Sequence, residues 1–338
     1  MSRTQTPDIF APALAILAAA MLLAACSAED EPAPAAESSA PASAAPASNN
    51  AANCDDACLE GLMADYLDAM LAFEQMDIPA VIGDLPWAEI VGFTENDVGL
   101  MMGDGLWGTA TAIEDGYVLT DPENGNVLWY GVIEEHGQPA YIAIRIGVDG
   151  DRIAEVETVA GREGTPAPFA STAAHSMDPA FSAELPEPDR MSRNELTAIV
   201  SSYYDALPGN DGTVNAAITD DCERLVNGFS VTHGSGVDLQ GCRQQLEAGL
   251  YRYVERIRAL RFPIVDESKG VVVAVAFIDH AARFVEYETL DGVARTVPIE
   301  YPNTHSVLEI FRIEGGQVSR IDGVAAFQPY LMPTKWMP

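Results

Sequence analysis

The chain has 338 residues, 48% of them hydrophobic, and a formal net charge of −33. That apolar content suffices for sizeable cores and, by length, for two ordinary domains. A surface this acidic repels phosphate backbones, which argues against a nucleic-acid partner, and it does not favour adhesion to anionic lipid.

The N-terminus has the layout of a targeting signal. Arg3 supplies a short positive start and an apolar run follows over residues 10–23. Pro12 interrupts the run, which is too short for a membrane span of about 20 apolar residues. It ends in Leu23-Ala24-Ala25-Cys26, the pattern of a bacterial lipobox, in which the Cys is lipidated and becomes the new N-terminus. Residues 1–25 are therefore expected to be a lipoprotein signal and Cys26 the membrane anchor. Ser27, rather than Asp, favours the outer membrane and a cell-envelope location. Residues 26–53 are Ala, Pro, Ser, Glu and Asn with little to bury, so they are expected to form a disordered tether.

Four further cysteines remain, Cys54, Cys58, Cys222 and Cys242. They allow three pairings. In an oxidising compartment disulfides are expected rather than a metal site, and the simplest scheme is Cys54–Cys58 with Cys222–Cys242. The carboxylates are dispersed and form no Ca²⁺ loop, so no metal and no cofactor are expected.

Past the tether the chain splits into two similar halves, residues 54–161 and 191–332, joined by a Pro-, Ala- and Ser-rich linker over 162–190. Each half opens with an amphipathic helix. Leu59, Leu62, Tyr66, Met70 and Phe73 mark the first, and Leu196, Ile199, Tyr203 and Leu207 the second. Ser192 and Glu195 form a capping box, while Pro208-Gly209 stops the second helix. A turn with a shared Asn follows in each half, at Asn96 and at Asn227. Each half closes on a hairpin, residues 141–148 with 152–159 and residues 306–313 with 317–324, around Asp-Gly and Gly-Gly turns. The second half adds an expected helix from Cys242 to about Leu260 and a β-branched strand over 270–278. The expected class is α+β: two tandem cone-like domains, each a curved antiparallel sheet packed on N-terminal helices, with an interior pocket.

Cys54-x-x-x-Cys58-Leu59-Glu60-Gly61-Leu62, Phe93-Thr94-Glu95-Asn96, Gly103-Asp104-Gly105-Leu106-Trp107 and Ser192-Arg193-Asn194-Glu195-Leu196 together resemble a family of secreted bacterial and fungal proteins, domain of unknown function 8021. Residues 262–267 and Phe277-Ile278-Asp279-His280 are similar to it as well. The resemblance spans nearly all of the folded part. It implies tandem cones like nuclear transport factor two and the SnoaL polyketide cyclases, and assigns no reaction.

Cone-fold enzymes of that kind use acid–base groups without metal, so Asp279 and His280 are the first candidates. Adjacent strand residues face opposite sides, so only one of the two can point inward. His305 starts the final strand run and is expected in the same cone. Tyr203 is a candidate hydrogen-bond donor or catalytic partner, although it and Tyr66 also suit the core. Asn227 and Trp107 are candidate ligand contacts, with turn formation and core filling as the plainer explanations. Arg145 is expected to face water, and the arginines at 252, 256, 258 and 261 to form a solvated helix face pairing with carboxylates across the domain interface. No nucleophile elbow, P-loop or H-E-x-x-H motif is present, and no G-x-G-x-x-G is expected after a strand. The expectation is a lipid-anchored envelope protein that binds a small apolar or polyketide-like molecule. The alternatives are a cofactor-free isomerase, dehydratase or hydrolase using His280, and a purely structural lipoprotein. Oligomeric state stays open.

Overall fold

Local signals place the first elements. The computed structural model of the chain describes residues 54–72, 85–174, 176–233 and 241–336. The apolar run 10–23, Cys26, the stretch 27–53 and Phe73 lie outside these residues. Helix α1 (Asp56–Leu71) begins at Asp55, whose side chain accepts from the Cys58 N–H at 3.1 Å. Leu59, Leu62, Tyr66 and Met70 are buried on it, as their spacing requires. Helix α2 (Arg193–Asp205) starts at the Ser192–Glu195 capping box and buries Leu196, Val200, Tyr203 and Tyr204. Among the described residues no helix is long and apolar enough to cross a membrane. The disulfides are Cys54–Cys58 and Cys222–Cys242, the local pair among the three pairings.

The first sheet contains β1 (Trp87–Glu95), β2 (Val98–Gly99), β3 (Ala110–Asp121), β4 (Asn126–Glu135), β5 (Gln138–Asp149) and β6 (Arg152–Arg162), in the order β2-β1-β6-β5-β4-β3. The second contains β7 (Ile218–Val226), β8 (Phe229–Ser230), β9 (Arg256–Asp266), β10 (Val271–His280), β13 (Asn303–Glu314) and β14 (Gln317–Pro329), in the order β8-β7-β14-β13-β10-β9. The orders match strand for strand. The second half differs by a small ribbon of β11 (Glu286–Glu288) and β12 (Ala294–Thr296), inserted between β10 and β13. The expected hairpins close with two-residue turns, where Asp149 faces Arg152 and Glu314 faces Gln317.

Three expectations need correction. The sheets are mixed, not antiparallel, because β1 pairs with β6 and β7 with β14 in parallel. Successive hairpins bring the last strand back beside the first in the same direction, a topological outcome that residue periodicity does not encode. The helix expected over 242–260 is only α3 (Cys242–Glu247). Gly249 takes φ +68, which ends helical backbone, and the arginines at 256, 258 and 261 lie on strand β9. A β-bulge at Ala259 (φ +52) then sets Arg258 opposite Phe277 and Arg261 opposite Val275, so both face one side. Arg145 does not face water, because the second sheet covers that side of β5. It is 3% exposed and bonds Glu157 at 2.7 Å and Asn126 at 2.7 Å.

The sheets stack face to face. Leu128, Tyr130, Val132 and Ala143 of the first share one core cluster with Val273, Val275, Leu308 and Ile310 of the second. Away from that interface, Ile142 and Ile144 share a core with α1 residues, and Val272, Ala274 and Phe311 share one with α2 residues. Burial on both faces explains the near-continuous apolar runs of β5 and β10. The segment joining the halves takes part: Phe181 is 1% exposed, lies in the intersheet core and stacks on Tyr117 at 6.0 Å. As expected for the arginines, Arg261 crosses the interface to Glu157.

The matched turns work alike. Asn96 and Asn227 sit in left-handed backbone, φ +48 and +47. The Asn96 carboxamide accepts from the Ala160 N–H at 2.8 Å and donates to the Ala160 carbonyl at 3.3 Å. Asn227 does the same to Ala325, at 3.0 and 3.1 Å, and also donates to the Pro168 carbonyl. Asn227 is fully buried, so its role is to hold the turn against the last strand. Asn227→Ala is expected to cost about 2–4 kcal/mol in urea denaturation, from lost buried hydrogen bonds and a strained backbone. Asn227→Gly should cost roughly 1 kcal/mol less, since glycine accepts that φ. Equal losses would sink the backbone part of this account.

Candidate functional site

Alternation along β10 decides what meets what. Val272, Ala274, Ala276 and Ile278 turn to the helix side of the second sheet, and His280 follows them. His280 is 2% exposed. Across the β10–β13 ladder Asn303 stands opposite His280, and His305 opposite Ile278, so all three share this side. Tyr253 meets the His280 ring edge-on at 5.3 Å, and Tyr287 lies beyond it at 6.2 Å. Deeper on the same side, Tyr203 and Tyr204 flank Phe311 at 5.4 and 5.8 Å. Glu309 is buried there. It accepts from the Tyr204 hydroxyl at 2.6 Å and from Arg224 at 2.7 and 2.9 Å.

The electrostatics are those of a neutral site. Burial lowers the His280 pKa from its ordinary value. His305 is pushed down to about 3, first by burial and then by His280 and Arg224, with Asp279 opposing. Burial raises the phenol of Tyr203, so it keeps its proton. The Arg224–Glu309 pair neutralises itself. The His280 Nδ1 lies 3.3 Å from the Asn303 Nδ2. Among the described residues, the His280 Nε2 and the Asn303 Oδ1 are buried without a hydrogen-bond partner. Such a group can donate to or accept from an uncharged molecule, and the unprotonated imidazole can take a proton.

The structure therefore brings His280, His305 and Tyr203 to one side of the second sheet. Asp279 is not with them. It turns to the face that meets the first sheet, where it accepts from Arg258 at 2.5 and 2.9 Å and from the Thr304 hydroxyl at 2.7 Å. Trp107 belongs to the core of the first half, where its Nε1–H donates to the Tyr66 hydroxyl at 2.6 Å. Sequence reasoning missed Asn303, Tyr253, Arg224 and Glu309. Glu309 carried a legible signal, a lone carboxylate inside the apolar run Val307 to Phe311. Tyr253 fell within the helix expected from Cys242 to about Leu260, which the structure ends at Glu247.

Two adjoining cavities of ≈400 and ≈280 Å³ lie elsewhere, around Arg320. Among the described residues no three His, Cys, Asp or Glu side chains gather as metal ligands.

Residues 189–325 match the model of a family described as Domain of unknown function (DUF8021). No curated protein matches the sequence. Among solved structures, AusH from Aspergillus nidulans is similar at 16% identity, covering 40% of this chain and 86% of its own, with a TM-score of 0.27. An LEH-like epoxide hydrolase of M. tuberculosis is similar at 18% identity, 39% and 84% coverage and a TM-score of 0.26. An NTF2-like protein of unknown function from Cytophaga hutchinsonii is similar at 16% identity, 39% and 97% coverage and a TM-score of 0.23.

A folded-state pKa below the unfolded value means that the unfolded chain binds the proton more tightly. The stability due to neutral His305 is thus present above about 6.5 and lost as pH falls towards 3. Urea midpoints measured from pH 7 to pH 4 should fall for the wild type and fall less steeply for His305→Gln. Parallel curves would refute this role for His305.

Proposed function

We propose that the protein, whose residues 189–325 match the model of a family of unknown function, is an exported lipoprotein, anchored through Cys26, that binds a small neutral organic molecule. The site is the helix side of the second sheet, around His280, Asn303, His305 and Tyr253. One observation carries this reading. The His280 Nε2 and the Asn303 Oδ1, on residues that face each other across the ladder, are buried polar atoms without hydrogen-bond partners among the described residues. Each such atom costs about 1–3 kcal/mol if nothing completes it. Orphans of this kind are rare in native interiors and call for a specific explanation. The uncharged imidazoles and protonated phenols around them suit an oxygen-bearing apolar ligand of the polyketide kind rather than an ion.

A second reading, acid–base turnover of the same ligand, is favoured by the state of His280. Its depressed pKa leaves a free-base imidazole at neutral pH, as a general base requires. The soluble chain from Asn53 onward, incubated with a small-molecule extract of its own culture, distinguishes the two by mass spectrometry. Under the binding reading, a compound co-purifies unchanged with the wild type and is lost with His280→Ala. Under the catalytic reading, the compound is consumed by the wild type and spared by the variant. Identical behaviour of wild type and variant removes His280 from both readings.

The anchor has its own test. Labelled palmitate should enter the wild type and be absent from Cys26→Ser, which should also leave the membrane fraction. Labelling of the variant would refute lipidation at Cys26.

A further inference from the structure

The two sheets bury an acidic residue at matching positions. Asn96 pins Ala160 and Asn227 pins Ala325, and three residues earlier on each strand stand Glu157 and Asp322. Both point into the intersheet face and are 1% and 3% exposed. Their partners differ. Burial would raise Glu157, but Arg261 and Arg145 hold its carboxyl below the usual carboxylate range. Asp322 accepts from the Tyr130 hydroxyl of the first sheet at 2.6 Å, and among the described residues no arginine pairs with it. Arg320, two residues away, is held by Asp178 at 2.9 Å and Glu223 at 2.8 Å. Beside Asp322 opens the ≈280 Å³ cavity, walled by Phe181, Met177, Leu225 and Ile321. The ≈400 Å³ cavity continues it and shares Glu223 and Arg320.

We propose that this cavity, between the connecting segment and strands β7 and β14, binds a small organic cation, an amine on a compact aromatic or apolar body, with its ammonium on Asp322 and its body against Phe181 and Leu225. The first half shows the chemistry this position accepts. At Glu157 a cation from the opposite half completes the buried carboxylate, and at Asp322 a ligand does so. A buried carboxylate is costly without a charged partner, and a charge-assisted hydrogen bond offsets that cost. The cavity walls select the sign of the ligand. Asp178, Asp221, Glu223 and Glu314 outnumber Arg320, so an anion is repelled. Phe181, stacked on Tyr117, offers an aromatic wall to an aryl or alkyl body. The site is separate from the His280 end, since Asp322 lies on the opposite face of the second sheet.

The groups facing Asp322 fix the sign of the pH dependence. They are Tyr130, Tyr117 and Tyr141 from the first sheet, Asp178 from the connecting segment and Glu223 from β7. The phenols stay protonated, and burial pushes Asp322 up to about 7. Affinity for an amine therefore rises with pH as Asp322 ionises.

The experiment is calorimetric titration of the full chain in detergent with phenethylamine, and with phenethyl alcohol and phenylacetate as isosteres. Saturable binding of the amine is expected at pH 8, weakened on the order of tenfold or more at pH 5.5. Neither isostere should bind. Asp322→Asn, which keeps an acceptor for Tyr130, should lose the amine. Arg320→Gln should bind it more tightly, by removing the competing cation. No binding at pH 8, equal binding by Asp322→Asn, or binding of the alcohol would each overturn the proposal. If Asp322→Asn fails to fold, the wild-type pH dependence decides: affinity unchanged between pH 5.5 and 8 overturns it.

Discussion

The stacking of the two sheets is the constraint on which most of the structure depends. It buries the second face of β4, β5, β10 and β13, so those strands are apolar on both sides. Any ionisable side chain on the shared face must then find a partner inside the protein. Arg145, Glu157 and Arg261 satisfy one another across it. Asp279 is matched by Arg258 and Thr304. Asp97 accepts from Ser306 of the other half at 2.8 Å and from Thr334 at 2.9 Å. These links fix the register of one sheet on the other more closely than apolar packing alone would.

The chain leaving each sheet closes the same interface. After β6 it places Phe169 edge-on to Tyr141 at 5.3 Å, bonds the Ala170 N–H to the Asn227 carbonyl at 3.0 Å, and then buries Phe181. After β14 it runs back to the first half. There Thr334 bonds Asp97, and the Trp336 Nε1–H donates to Thr94 at 3.2 Å. The Trp336 ring lies 5.0 Å from the Arg145 guanidinium and 5.8 Å from that of Arg261. Each exit segment thus straps the Asn turn of the opposite half. The halves lean on each other's turns, which explains why a connecting stretch of linker-like composition contributes to the core.

Two consecutive residues illustrate how one strand serves both surfaces. Asp279 joins the ionic lattice between the sheets, while His280 faces Tyr253 and Asn303 on the other side. The environments act in different ways. Guanidinium and hydroxyl donors match the charge of Asp279, whereas burial alone depresses His280 and keeps it neutral. A similar contrast separates Glu157 from Asp322, which occupy matching positions with and without arginine partners.

The sequence by itself determined the features that short-range chemistry controls. The Asp55 cap and the Ser192–Glu195 box set helix starts, the Asp-Gly and Gly-Gly turns set the hairpins, and the paired asparagines marked the repeat. Alternation also implied that Asp279 and His280 part company. The local disulfide pair was the simplest of three schemes, and tertiary geometry selected it. Tertiary structure alone decided the parallel pairings, the strand made of Arg256–Asp266 and the burial of Arg145. It also decided which of Glu157 and Asp322 meets an arginine. The physical reason is common to these cases. Periodicity records that a face is covered, but the identity of the covering element depends on residues far away in the chain, whose contacts exist only once both sheets are assembled.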